Sequence, residues 1–240
     1  MPLPNREEKK DFVQEKFSSV TARYDFLNSL LSLGLDRLWR YRTVKALSGV
    51  RGPILDVCAG TLPLSREIFR QTKEPVVALD FCYDMLRFGA QRLSALERRS
   101  IHPLCADGES LPLASSSFGG FSVAFGIRNL ADLPRGLSEM FRVLRPGGKG
   151  AILEFSRPTL PVFKDLYRFY LHRVLPRIGG AISGDQEAYV YLAESIQGFF
   201  SQHEVCNMLK ESGFVKVGFM PMTLGIVTLY TCTKPQVTDE

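Results

Sequence analysis

The stretch that most constrains this chain is Ile54–Ser65, which reads ILDVCAGTLPLS. Ile54-Leu55-Asp56-Val57 is an apolar run around one acid and reads as a buried strand. It stops at the small-residue turn Ala59-Gly60-Thr61, and a helical pattern starts near Leu64. A strand, a tight turn and a helix start in so few residues let backbone N–H groups approach a ligand, because small residues leave the room. Asp56 falls toward the carboxyl end of the strand, where open α/β sheets bind ligands. A second apolar run, Val76-Val77-Ala78-Leu79, ends in Asp80. An acid about 20 residues past a glycine turn can accept two hydrogen bonds from a ribose diol. The turn lacks G-x-G-x-x-G spacing, so one nucleoside-like cofactor fits better than a dinucleotide. An ordinary α/β turn followed by an unrelated acidic cap is the alternative.

The same rhythm continues to about residue 156. Strands are expected at Ile54–Cys58, Val76–Asp80, Ile101–Cys105, Phe121–Phe125 and Gly150–Phe155, with helices at Leu64–Gln71, Asp84–Leu96 and Leu133–Val143. Repeated β-α units of this length imply an α/β fold with a mostly parallel sheet and helices on both faces. Pro146-Gly147-Gly148 is expected to turn from a helix into the fifth strand. Upstream, a helix is expected from Lys9. Tyr24–Gly34 mixes apolar groups with Asn, Ser and Gly and reads as broken helix. Trp39, the only tryptophan, opens a basic helix through Arg40, Arg42 and Lys45. This region is either a packing arm or a lid over the cofactor.

Residues 157–200 interrupt the β-α rhythm. Val162–Leu175 is amphipathic, with Phe163, Leu166, Tyr167, Tyr170 and Val174 expected on one face and Lys164, Arg168 and His172 on another. Pro176 and Gly179-Gly180 are expected to stop it, and a further helix covers Glu187–Ile196. The segment reads as a packed helical insertion, or as a substrate cover with a basic face towards a membrane. Ser201-Gln202-His203-Glu204 is a capping box, so a helix is expected over Gln202–Glu211. Val215–Met220 and Gly225–Thr233 read as a closing antiparallel strand pair. The expected organisation is one domain: a helical lid (9–51), a cofactor-binding core (52–156), the insertion (157–200) and a C-terminal helix and strand pair (201–233).

Composition narrows the setting. The 240 residues are 45% hydrophobic and 23% charged, ordinary for a globular chain, and the net charge of +5 is a modest excess. No Lys/Arg block approaches a nucleic-acid arm, so no nucleic-acid partner is expected. The polar N-terminus lacks the apolar core of a signal peptide, and no 18-residue apolar run predicts a membrane span. Five scattered cysteines without a C-x-x-C pair imply reduced thiols in a cytoplasmic compartment and no metal site. Cys58, Cys82 and Cys105, near three strand ends, are expected to be small buried fillers.

The strand–glycine turn–strand–Asp arrangement resembles a class I S-adenosylmethionine-dependent methyltransferase. Further segments resemble the ubiquinone/menaquinone biosynthesis C-methyltransferase family. These are Tyr24-Asp25-x-x-Asn28 with Ser32-Leu33-Gly34 and Trp39, Phe125-Gly126-Ile127-Arg128-Asn129, and Arg142–Gly148 with Glu154-Phe155-Ser156. Leu175-Pro176-Arg177-Ile178-Gly179 and Tyr191-Leu192-Ala193-Glu194-Ser195 also fit. The resemblance runs from about Val13 to Thr233. Two positions depart from it. Asp36 stands where the family usually has His, and Gly60-Thr61 is followed by Leu62-Pro63 rather than Gly-Asp. Leu62 carries a Cβ and is expected to avoid φ > 0, while Pro63 suits a first helical turn.

The resemblance implies a Rossmann-like sheet with its last strand antiparallel. It implies methyl transfer from S-adenosyl-L-methionine to a ring carbon of a polyprenyl quinol, demethylmenaquinol first and the ubiquinone-pathway benzoquinol second. A cofactor-binding subunit or regulator is the competing class. Asp56, Gly60, Thr61, Asp80, Asp107 and Gly108 are the expected cofactor contacts. Arg128, Asn129 and Tyr24 are the expected catalytic groups, with Tyr191 and His172 weaker candidates. Arg128 either stabilises a developing phenolate or holds a water that relays the proton, or it pairs structurally with a carboxylate or a strand-end carbonyl. The very apolar substrate tail implies transient contact with a membrane surface, at its cytoplasmic face, and a homodimer is left open.

Overall fold

The computed structural model describes residues 9–158 and 160–236; within helices, the side chains of 17, 19, 20, 22–28, 161 and 183 lie outside the description. Five parallel strands, β1 (Ile54–Val57), β2 (Val76–Asp80), β3 (Ile101–Cys105), β4 (Phe118–Ala124) and β5 (Leu144–Phe155), are joined by β6 (Val215–Met222) and β7 (Val227–Thr233). Their order is β3-β2-β1-β4-β5-β7-β6, and β7 runs antiparallel to both of its neighbours. The mostly parallel sheet with an antiparallel last strand is therefore as expected. β4 starts three residues earlier than expected and ends one earlier, and Phe125, past its end, is left-handed at φ 60°. The expected turn at Pro146–Gly148 is instead an irregularity within β5. Leu144 pairs with Phe118 and Lys149 with Gly120, and the extra residues loop out through Gly147 at φ 74°.

Alternation along β1 separates two cores, as a period of two requires. Leu55 and Val57 pack with Leu137 and Met140 of α6 (Leu133–Val143) and Leu209 of α10 (Gln202–Glu211). Ile54 packs on the other face with Trp39 and Val44 of α2 (Leu35–Ala46) and Ile68 of α3 (Pro63–Thr72). The expected capping box at Ser201 and Glu204 is present. Asp84–Leu96 is two helices rather than one, α4 (Tyr83–Gln91) and α5 (Ala95–Arg98), because Ser94 and Glu97 form a second capping box. Cys82, Cys206 and Cys232 are buried thiols, but Cys105 is exposed and fills nothing.

One helical expectation holds only in part and another fails. Tyr24–Gly34 is broken only at its end: α1 runs over Lys9–Leu31, and the break falls at Ser32-Leu33-Gly34, with Gly34 at φ 77°. Tertiary anchors outweigh its mixed composition. Lys9 holds the Arg128 and Leu130 carbonyls, Lys10 holds Asp107, and Lys16 holds Glu187. Pro176 and Gly179-Gly180 do not stop the insertion helix. α7 (Pro161–Phe169) passes through a wide turn, Tyr170–Val174, into α8 (Leu175–Ser183). Pro176 thereby occupies a first-turn position, where its missing N–H costs no helical hydrogen bond. The glycines serve close packing on α9 (Gln186–Gly198): a Cβ at Gly179 would sit 2.5 Å from the Tyr189 ring. Tyr167, Leu171, Leu175, Tyr189 and Ile196 form a third core, against which Leu31, Phe155 and Ile226 pack. Leu166 does not join it as expected; it is exposed with Val162 and Phe169.

Candidate active site

The strand order reverses at β1, which lies between β2 and β4, and a crevice must open past the carboxyl ends of these strands. A pocket lies there. It is lined by Asp56, Cys58–Thr61, Pro63 and Leu64 from β1 and its turn, by Asp80, Phe81 and Met85, by Ala124–Gly126 and Asn129, and by Arg40.

The turn after β1 is tightly wound. Cys58, Gly60 and Leu62 have φ of 56°, 53° and 71°. Leu62 thus adopts the conformation its Cβ was expected to prevent. Its side chain is fully buried, so apolar packing offsets the backbone cost. Pro63 opens α3, as expected.

Asp80 braces this turn. Its Oδ2 accepts the Gly60 N–H and its Oδ1 the Cys82 N–H, both at 2.8 Å. Burial pushes its carboxyl up to about 6, against the pull of those amides. Asp56 lies fully buried on the pocket floor and accepts the hydroxyls of Ser65 at 2.5 Å and Ser122 at 2.7 Å. Burial raises it to about 6 as well, opposed by the two hydroxyls. Ser65 and Ser122, which tie β1 to α3 and β4, carried no signal in the sequence beyond their small size.

Asp107 and Gly108 follow β3. The Asp107 carboxylate binds Lys10 at 2.7 Å and accepts the Glu109 N–H at 2.9 Å. Burial works to raise it, but the ammonium and the N–H outweigh burial and hold it below the usual range. Gly108 is buried, and a Cβ there would meet Val57 at 3.2 Å.

Arg128 and Asn129 lie in a 3₁₀ turn, Ile127–Asn129, just past β4. The Arg128 guanidinium is buried, 2.8 Å from the fully buried Glu154 carboxylate, and it also donates to the Phe125 carbonyl. Glu154 further accepts the backbone N–H groups of Arg128 and Phe155. Both pairings are those of the structural alternative. Asn129 faces the pocket, and its Oδ1 accepts the Tyr191 hydroxyl at 3.2 Å. Burial pushes the Tyr191 phenol up, so it stays protonated and donates. The Tyr24 side chain lies outside the described residues. His172 is half-exposed beside Glu194 at 3.6 Å and away from the pocket lining.

An aromatic wall built from residues of three separate motifs stands beside these groups. Phe125 and Phe155 stack at 4.5 Å, and Trp39 meets both edge-on at 6.1 and 6.4 Å. Trp39 Nε1 donates to Thr223 Oγ1 at 2.8 Å, which fixes the indole.

The ubiE/COQ5 methyltransferase family profile matches residues 5–234. The chain belongs to that family. It is 42% identical, over 93% of its length and 94% of the relative's, to a demethylmenaquinone methyltransferase of Corynebacterium urealyticum. It is 44% identical, over 95% and 98%, to a ubiquinone/menaquinone biosynthesis C-methyltransferase of a Geobacter species. The fold matches an S-adenosylmethionine-dependent methyltransferase of Thermotoga maritima with a TM-score of 0.63, 17% identity and coverage of 92% and 98%. It also matches a Haemonchus contortus phosphoethanolamine N-methyltransferase solved with S-adenosyl-L-methionine, with a TM-score of 0.61 and 14% identity over 82% and 52%. The chain is an S-adenosylmethionine-dependent methyltransferase. The pocket fits this cofactor chemically. A buried carboxylate at the end of β2 suits a ribose diol. Arg40 brings to the same lining a buried Nε that has no hydrogen-bond partner among the described residues.

Proposed function

We propose that this enzyme methylates a ring carbon of a polyprenyl quinol, with demethylmenaquinol as the first substrate. The observation that carries this reading is Phe125 in the lining of the donor pocket, its ring stacked on Phe155 and met edge-on by Trp39, which makes that side of the pocket flat and apolar. The names of the relatives support the same choice. When bound, S-adenosylmethionine supplies an electrophilic methyl group on a sulfonium. Asp80 holds the ribose hydroxyls, Thr61 and its turn lie along the methionine part, and Asp107 with Gly108 meets the adenine. Asp56 keeps the turn in shape through Ser65 and Ser122. The remaining work is to orient an electron-rich ring carbon toward the donor and to exclude water. Asn129, held by the Tyr191 hydroxyl, is placed to hydrogen-bond a ring hydroxyl. Arg128 sets the position of Asn129 and contributes positive charge behind the wall, where its guanidinium lies 5.5 Å from the Phe155 ring. Tyr24 is a further candidate for the ring hydroxyls.

The helices divide this labour. Residues 9–51 cover the donor, 52–156 bind it, 157–200 cover the quinol and 201–233 complete the sheet. The tail stays in a membrane while the ring enters, and the enzyme touches that surface transiently. Among the described residues no helix is long and apolar enough to cross.

Turnover of a demethylated naphthoquinol and a demethylated benzoquinol, followed by mass, tests the proposal. Methylated naphthoquinol is the expected product. Methylation of the benzoquinol alone would move the substrate class. Donor binding without product from either ring would favour a cofactor-binding subunit.

A further inference from the structure

Among the described residues that line the pocket, Arg40 alone has a buried side-chain polar atom with no hydrogen-bond partner. It lies on α2 and is 8% exposed. Its Nη1 donates to the Asp36 carboxylate, which the Ser29 and Ser32 hydroxyls also address at 3.1 and 3.2 Å. Its guanidinium stands 5.8 Å from the Phe125 ring. Nε is buried and meets no hydrogen-bond acceptor among the described residues. A buried charged donor without an acceptor is costly, so a ligand that supplies one gains strongly there. Among the described residues that line the pocket, Arg40 is the only cation.

The turn itself has little left to hold an anion. The Ala59 N–H is spent on the Leu79 carbonyl, the Gly60 N–H on Asp80, and the Leu62 N–H on the Ala59 carbonyl. Pro63, next in line at the start of α3, has no N–H at all. The positive end of the α3 dipole still favours negative charge at this spot. The methyl donor carries one carboxylate, on its amino-acid end, opposite the ribose that Asp80 suits. A guanidinium edge matches a carboxylate better than an ammonium does.

We propose that Arg40 is the anchor for the amino-acid carboxylate of the methyl donor, and that α2 thereby couples the N-terminal helices to cofactor binding. The inference rests on this pocket being the donor site and does not depend on the identity of the methyl acceptor.

Calorimetric titration tests it without turnover. The ligands are S-adenosylmethionine, its decarboxylated analogue, and 5′-methylthioadenosine, which lacks the amino-acid end. Wild-type protein should bind the full donor at least about tenfold more tightly than the decarboxylated one. Arg40→Gln should weaken the full donor about 10- to 100-fold, the scale of a hydrogen bond to a charged group. It should leave the two carboxylate-free ligands within about threefold. Arg40→Lys should recover only part of the loss. A wild-type protein indifferent to the carboxylate overturns the proposal even if the variants do not fold. So does an Arg40→Gln protein that loses all three ligands alike, which is the behaviour of a purely structural arginine. A wild-type protein that binds none of the three overturns the assignment of the pocket as well.

Discussion

Asp80 does two jobs with one carboxylate. Its oxygens brace the Gly60 turn and the start of α4, and each retains a lone pair for a ribose hydroxyl. Burial raises its folded-state value from 3.8 to about 6. Below about pH 6 the free protein therefore favours the neutral acid, and this group's contribution to stability falls as pH rises from 3.8 to about 6. Donor binding runs the other way. A ribose diol donates two hydrogen bonds, which the ionised form accepts and the protonated form resists. Affinity for S-adenosylmethionine should drop about tenfold between pH 7 and pH 5, with a proton released on binding at pH 5. Titration in two buffers of different ionisation enthalpy measures both. Asp80→Asn should bind about 1–3 kcal/mol more weakly and lose most of the pH dependence. Affinity that stays flat across this range in the wild type would remove Asp80 from the ribose. Asp80 was legible because it closes an apolar run of strand length, and Asp56 because it interrupts one. Leu62 and Arg40 were not. A leucine at φ 71° is decided by the cavity that buries it, and a basic residue on an amphipathic helix looks solvated until the sheet is placed behind it.

The segment after β4 is held by its neighbours rather than by its own composition. Glu154 of β5 gathers the Arg128 guanidinium and two backbone N–H groups, and Lys9 of α1 closes over the Arg128 and Leu130 carbonyls. Removing one partner of a buried ion pair leaves the other charged and unpaired, at about 3–5 kcal/mol. Arg128→Ala should therefore unfold at markedly lower denaturant, with donor affinity and kcat falling together. Arg128→Lys should restore part of the stability. An Ala variant that keeps its midpoint and its donor affinity but loses kcat by 10²-fold or more would instead put Arg128 at the reacting ring. The sequence located this arginine at a strand end but left its role open, because its decisive partner lies on another strand, 26 residues away. Distance along the chain hid the helices too. The wide turn at Tyr170–Val174 and the Gly179–Tyr189 approach are tertiary solutions to a proline and two glycines that local rules read as a stop.

Five of the apolar side chains left in solvent lie on three segments that form one rim of the fold. Leu33 is 87% exposed and Val162 86%, with Leu166, Phe169 and Leu224 close to 60%. Leu33 and Leu224 are held at φ 52° and 56°, a left-handed conformation that costs an ordinary residue energy and here turns leucines outward. The three segments are neighbours. The Tyr170 hydroxyl donates to the Leu31 carbonyl, Leu31 and Ile226 pack against the same insertion core, and Trp39 binds Thr223. Exposed Arg37, Lys164, Arg168, Arg173 and Arg177 lie on the same elements. Each leucine inserted into lipid contributes up to about 1.5–3 kcal/mol, and each cation near an anionic surface about 1 kcal/mol. The wild-type enzyme should therefore bind vesicles containing phosphatidylglycerol and bind neutral ones weakly, with added salt reducing the difference. Leu33→Asp combined with Val162→Asp should lower vesicle partition at least tenfold. Turnover of a short-tailed quinol in solution should be unchanged, and turnover of a long-tailed quinol delivered in vesicles should fall. Equal partition of wild type and variant would show that this rim does not meet the bilayer. Concentration-dependent dimerisation that the same two substitutions abolish would assign it to a second copy of the chain.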